Sequence, residues 1–331
     1  MTGEPLVRVR DLGKVFRSRA SGFLVPPLET KAVDGVSFDI ARGETLGLVG
    51  ESGCGKTTTG RMVVRLLDPS MGSIRFDGAE ISGLAGKALR DLRRDLQIVF
   101  QDPMSSLNPR MTAGELIVEP LVVHGVGDNA SRQKRLRELI DIVGLLPHHA
   151  ARFPHEFSGG QRQRIGIARA LALSPRFLVL DEAVSALDVS IQAQILNLLQ
   201  DLRAELSLTY LFISHDLGVI RFICDRVAVM YLGEIVEIAD RAALFAAPRH
   251  PYTQALLASI PEVGVGKRRF QPLTGDVPSA SNPPPGCRFN TRCPHVMDVC
   301  RSVRPKLAAV GAGHEAACHL LGPAHQTGPA G

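Results

Sequence analysis

The stretch Thr45-Leu-Gly-Leu-Val-Gly-Glu-Ser-Gly-Cys-Gly-Lys-Thr-Thr58 decides the fold. An apolar strand-like run over 45–49 enters a glycine-rich turn, and a helical pattern over 56–67 leaves it. The turn fits G-x-x-x-x-G-K-[ST] through Gly50, Gly55, Lys56 and Thr57. Glycines let successive backbone N–H groups converge on phosphate oxygens, and the helix adds the positive end of its dipole. Lys56 supplies charge near the β- and γ-phosphates, while the Thr57 hydroxyl can ligate Mg²⁺. The candidate phosphate cradle is therefore Gly50, Glu51, Ser52, Gly53, Cys54, Gly55, Lys56, Thr57 and Thr58, with Cys54 reading as a small filler.

A partner for this loop lies downstream, in Phe177-Leu-Val-Leu-Asp181-Glu182. A buried strand that delivers acids at its C-terminal end is where a doubly wound sheet meets its ligands. Asp181 can hold Mg²⁺ through water, and Glu182 can orient and deprotonate an attacking water. Strand-like runs at 6–10, 36–40, 97–100, 210–213 and 226–230 alternate with helical patterns at 131–143, 161–173, 190–205 and 217–223. That alternation predicts an α/β domain built on a mostly parallel sheet. The early runs at 6–10, 36–40 and 73–76 suggest an attached antiparallel β-subdomain.

Bulk properties narrow the class. The 331 residues carry a net charge of +5 and 45% hydrophobic residues, so a substantial core can form. No stretch approaches the ~18 consecutive apolar residues of a membrane span, and the N-terminus lacks the apolar region of a secretory signal. The basic balance invites a nucleic-acid reading, but three Tyr, no Trp and the placement of the charge argue against one. From Pro261 onward there are eight Lys/Arg against four Asp/Glu, with four of the six cysteines and ten of the 22 prolines. The body up to residue 260 is near neutral. The break in composition predicts a large domain over 1–260 and a small basic appendage over 261–331.

Between the two nucleotide motifs runs Phe157-Ser158-Gly159-Gly160-Gln161-Arg-Gln-Arg164, opening a helix. Taken with the phosphate loop and the acidic strand, in that order, it resembles the nucleotide-binding subunits of ABC transporters. The resemblance implies a P-loop NTPase core, an antiparallel β-subdomain and a helical signature subdomain near 102–170. It also implies that two subunits sandwich ATP, so that Ser158, Gly159, Gly160 and Gln161 serve the partner's nucleotide. Gln101 then looks like the glutamine that reaches Mg²⁺, Asp188 in Ser185-Ala-Leu-Asp188 like the D-loop, and His215 like the γ-phosphate switch. Phe16 is the candidate for stacking on adenine, with Phe23 as a weaker rival in the 17–30 insertion. Phe157 for the commoner Leu, and Ala183-Val184 for Pro-Thr, are departures that remove no charge.

Finer likeness comes from Val99-Phe-Gln-Asp-Pro-Met-Ser-Ser-Leu-Asn108-Pro-Arg-Met-Thr112 and from His250-Pro-Tyr-Thr-Gln-Ala-Leu-Leu257. Both resemble ATPase subunits of oligopeptide, dipeptide and nickel importers of the OppF/DppF type. That resemblance implies a second, homologous ATPase, two transmembrane permease subunits, an extracytoplasmic solute-binding protein and a peripheral place on the cytoplasmic face of the membrane. The groove for the permeases is expected near 102–124. A nickel importer, or a soluble ABC ATPase outside transport, are the alternatives.

Cys287, Cys293, Cys300 and Cys318 close the chain in C-x5-C-x6-C-x17-C spacing, which fits no zinc ribbon. In a reducing compartment such a cluster suggests metal before disulfides. Four thiolates suit an iron–sulfur cluster or Zn²⁺, and the pattern resembles one that carries [4Fe–4S] in some peptide-importer ATPases. Arg288, Arg292, Arg301 and Arg304 are expected to offset the negative charge of that site.

Overall fold

The computed structural model describes residues 4–17, 29–102, 106–259 and 275–322. Two sheets organise them. Strands β1 (Val7–Arg17), β2 (Glu29–Ile40), β4 (Met71–Phe76) and β5 (Ala79–Glu80) form an antiparallel sheet in the order β2-β1-β4-β5. The second sheet has eight strands: β3 (Thr45–Val49), β6 (Leu96–Val99), β7 (Phe177–Asp181), β8 (Thr209–Ser214), β9 (Arg226–Tyr231), β10 (Glu234–Asp240), β11 (Ala308–Gly311) and β12 (His314–Ala316). Their order is β11-β12-β10-β9-β3-β8-β7-β6, with β6, β7, β8, β3 and β9 mutually parallel.

Every residue of β3, β7 and β8 is buried. Helices on both faces explain why these strands read as continuous apolar runs instead of alternating ones. On one face lie α1 (Lys56–Val63) and the antiparallel sheet, which share a core with Leu46, Leu48, Val179, Leu211 and Ile213. The other face carries α6 (Val189–Leu206) and α7 (Leu217–Ile223), through Ile195, Leu199 and Ile220.

A helical subdomain interrupts the sheet between β6 and β7. It contains α3 (Ala113–Val123), α4 (Asn129–Ile142) and α5 (Gly159–Leu171). Local chemistry fixes their starts. Thr112 and Glu115 form a reciprocal capping box on α3, Asp128 caps α4, and Ser158 and Gln161 form a second box on α5. Leu116, Ile117, Leu139, Ile140, Ile165 and Ile167 make their common core. Helix α3 is missing from the sequence reading, as is α2 (Gly86–Leu92). Helix α2 buries none of its residues, so it has no apolar stripe to read.

The proposed break at residue 261 lies outside the described residues. Residues 275–322, on its C-terminal side, are nonetheless woven into the body. After α8 (Arg241–Ala246) and α9 (Pro251–Ala258), β12 pairs antiparallel with β10 through Glu237–Ala316 and Ala239–His314, and β11 extends the sheet once more. Three of the four arginines expected to offset thiolate charge are ion-paired with carboxylates instead. Arg288 is ion-paired with Asp34 and Glu234, Arg304 with the same two carboxylates, and Arg292 with Glu51. They neutralise acids of the body at the seam, where a buried carboxylate needs a partner.

Candidate active site

The loop between β3 and α1 curls as its glycines demand. Gly53 and Gly55 take φ values of 78° and 106°, a region open to glycine and strained for other residues. A Cβ on Gly55 would also collide with the Ala32 carbonyl. Lys56 is buried and donates from Nζ to the carbonyls of Gly50 (2.8 Å) and Glu51 (2.9 Å). Cys54 points into the core as the filler it resembles, with burial raising its thiol pKa.

Parallel pairing carries β7 to the same edge of the sheet. Thr57 Oγ1 donates to Asp181 Oδ1 at 2.8 Å, tying the start of α1 to the end of β7. Burial pushes the Asp181 carboxyl up, and the Thr57 hydrogen bond pulls against it. Glu182 follows at φ 48°, an uncommon conformation for a non-glycine residue and one that clusters at functional sites. Its Oε2 accepts from Gln101 Nε2 at 2.8 Å and lies 3.4 Å from His215 Nδ1. Ser52, Gly55, Lys56, Thr58, Gln101 and Glu182 line one cavity of about 230 Å³. A carboxylate aimed by two neighbours toward a phosphate loop can take a proton from water and direct it in line.

The remaining sequence candidates fall into two groups. Ser158, Gly159, Gly160 and Gln161 contribute nothing to that cavity. Their turn opens outward, with Ser158 and Gly159 exposed while Gly160 is pressed against Ile191. Asp188 is also exposed, and its neighbour Val189 is 83% accessible. Phe16 lies next to the last residue of β1 and pairs with Thr30, two residues before the cavity-lining Ala32. At 43% exposure it is no core residue, and the Lys14 ammonium lies 5.5 Å from its ring centre. Phe23 lies outside the described residues. At the substituted positions, Phe157, Ala183 and Val184 are all buried apolar side chains.

Two contacts of the phosphate loop escaped the sequence reading. The Glu51 backbone N–H donates to the Tyr252 hydroxyl at 2.9 Å, and the Glu51 carboxylate is gripped by Arg292. The signal for the first was the His-Pro-Tyr motif itself, which had no assigned role. The second had none, since 241 residues separate the partners.

The structure gathers the four C-terminal cysteines without forming the expected metal centre. Cys287 feels the charges of Cys293, Cys300 and Cys318, and burial pushes its thiol up to about 12. Burial raises Cys293 and Cys318 as well. Four sulfurs fit a soft metal chemically. Yet no group of three or more His, Cys, Asp or Glu side chains among the described residues could hold an ion. Cys287, Cys293, Cys300 and Cys318 are free of disulfides, and the cluster as folded does not fit an iron–sulfur or zinc group.

Fold and site together define a nucleotide-hydrolysing P-loop ATPase. Residues 33–185 match the ABC transporter family, and residues 236–300 match the oligopeptide/dipeptide transporter C-terminal region. A putative peptide import ATP-binding protein of Brucella ovis is 54% identical over 319 residues, 96% of this chain and 98% of that protein. Oligopeptide transport ATP-binding protein AppF of Bacillus subtilis is 51% identical over 321 residues, 96% and 98% of the two chains. Among solved structures, the dimeric ATP-binding cassette MJ0796, bound to ADP and Pi after hydrolysis, superposes with a TM-score of 0.62. It is 30% identical, covering 71% of this chain and 98% of that one. The chain belongs to the ABC transporter family, as an ATPase of the branch with the oligopeptide/dipeptide C-terminal region.

Proposed function

We propose that the chain hydrolyses ATP to drive uptake of di- or oligopeptides through an ABC importer. The observation that carries this is the convergence of Lys56, Thr57, Asp181, Gln101, Glu182 and His215 at one edge of the parallel sheet. The peptide assignment, over nickel, rests on the relatives' names.

In this reading the loop amides and Lys56 hold the β- and γ-phosphates, and Phe16 stacks on the base. Mg²⁺, held by Thr57 and Gln101 with Asp181 behind them, would neutralise charge on the transferring phosphoryl group. Glu182 accepts the proton of the attacking water, and His215 fixes the carboxylate and meets the γ-phosphate. Ser158, Gly159, Gly160, Gln161 and Asp188 face outward because they serve the nucleotide of a second, homologous ATPase. Exposed Val189 beside Asp188 fits such an interface.

A permease surface is supported between β6 and α3. A cavity of about 420 Å³ lies between Leu66, Gln97, Ile98, Glu119, Val123 and Arg169, edged by half-exposed Val122 and Val123. An apolar patch with a polar rim suits a short helix from a membrane partner. No described helix is long and apolar enough to cross a membrane, so two transmembrane permease subunits would place the chain at the cytoplasmic face. An extracytoplasmic binding protein would supply the peptide. We assign residues 1–260 to the cassette and 261–331 to the extension. Isolation of the tagged chain from solubilised membranes should bring down polytopic subunits, and its deletion should abolish peptide uptake. Uptake that persists without this chain would refute the assignment.

A further inference from the structure

We infer that Arg292 of the C-terminal extension is a positioning residue of the ATP site, one that neutralises Glu51 and holds the phosphate loop in its binding shape. The inference rests on the ATPase assignment above.

Glu51 stands inside the phosphate loop, directly after Gly50. A free carboxylate there would repel a polyphosphate and compete with it for the loop's amides. Arg292 removes that conflict. Its Nη1 lies 2.7 Å from Glu51 Oε2 and its Nη2 3.0 Å from Oε1, a two-pronged pair of the strongest kind. The Arg292 side chain is only 4% exposed and that of Glu51 24%, so water screens the pair only in part.

The arginine is placed as firmly as the loop. Its ring-side neighbour is Tyr231, with the hydroxyl 3.4 Å away. Phe289 of the extension is buried between Tyr231 and Tyr252, at centroid distances of 5.3 and 5.4 Å. Tyr252 in turn accepts the Glu51 backbone N–H. The same loop residue is thus held twice, by its amide from α9 and by its carboxylate from the extension. With both groups engaged away from the cavity, the neighbouring amides stay free for phosphate.

The test is a charge-rescue series in the full-length chain, read as the Kd for a fluorescent ATP analogue. Arg292→Ala should weaken binding about tenfold, within the range of ordinary site-to-site coupling. Arg292→Lys keeps the charge but loses the two-pronged geometry, and should bind between wild type and Arg292→Ala. Arg292→Ala/Glu51→Gln should bind better than Arg292→Ala. Loss of an exposed arginine of the extension, Arg301→Ala, should leave Kd unchanged. A general loosening of the extension would not be relieved by removing a charge from the loop, so a double variant as weak as Arg292→Ala overturns the inference. So does an Arg292→Ala chain that binds like wild type. Lys56→Ala, titrated alongside, reads separately whether the loop is the ATP site at all.

Discussion

Replacing Glu237 by Gln tests how the extension and the nucleotide loop share one support. Glu237 is fully buried in β10. Its Oε1 accepts from the Arg249 backbone N–H at 2.7 Å and from His314 Nε2 at 2.6 Å, and Oε2 accepts from the His250 N–H at 2.9 Å. A carboxylate only accepts, so the imidazole carries its proton on Nε2. In the Gln variant one acceptor becomes an NH₂ that faces an N–H donor, whichever way the amide turns. One buried donor then goes unpaired at a cost of about 2 kcal/mol, and two do if the amide turns toward Oε1. For a chain of this size the melting midpoint should fall by about 3–6 °C. Amides of β12 should exchange faster, because His314 anchors that short strand. The change should also reach the loop, since His250 caps the helix whose Tyr252 hydroxyl holds the Glu51 amide. Thermal melts with hydrogen exchange read both effects. A midpoint within 1 °C of wild type, with β12 still protected, would refute the reasoning.

Three further outcomes are expected. Gly55→Ala should abolish ATP binding, because its Cβ meets the Ala32 carbonyl at a left-handed φ; equilibrium binding checks it. Phe16→Ala should raise the Kd for ATP by roughly tenfold, a stacking contact on a base being worth about 1–3 kcal/mol, with little change in melting temperature. His250 is buried, and burial pushes its pKa down to about 3. The unfolded chain protonates this imidazole near pH 6.5, so its contribution is complete above that pH and is lost as the pH falls toward 3, by up to about 1.4 kcal/mol per unit. The stability advantage of wild type over His250→Asn, measured in denaturant, should therefore shrink steadily below pH 6.5.

Much of the site was legible because its motifs are short and rigidly spaced. The glycines between Val49 and Lys56 can only serve a tight loop, and an apolar strand ending in Asp181-Glu182 can only deliver its acids at the sheet's edge. Parallel pairing of β3 with β8, and of β8 with β7, then makes the meeting of Thr57, Asp181 and Glu182 unavoidable. The unread part depends on pairings with no local signature. Arg288 and Asp34 are 254 residues apart, and Glu237 and His314 are 77 apart. The basic tail looked like a shield for thiolates because its counter-charges lie in distant body strands and loops. Arg288, Arg292 and Arg304 are engaged at the seam, which is also why composition suggested an appendage where the structure has two more strands of the central sheet. Helix α3 went unread for a different reason, being apolar over most of its length with a proline at position 120.

The most direct test of the account is turnover by the assembled transporter carrying Glu182→Gln. Glu182 has Gln101 and His215 at its Oε2 oxygen, and loss of a general base costs about 10²–10⁴ in rate. The account predicts that ATP binding survives while hydrolysis, and peptide uptake into proteoliposomes with it, falls by at least a hundredfold. Hydrolysis at the wild-type rate in that variant would contradict it.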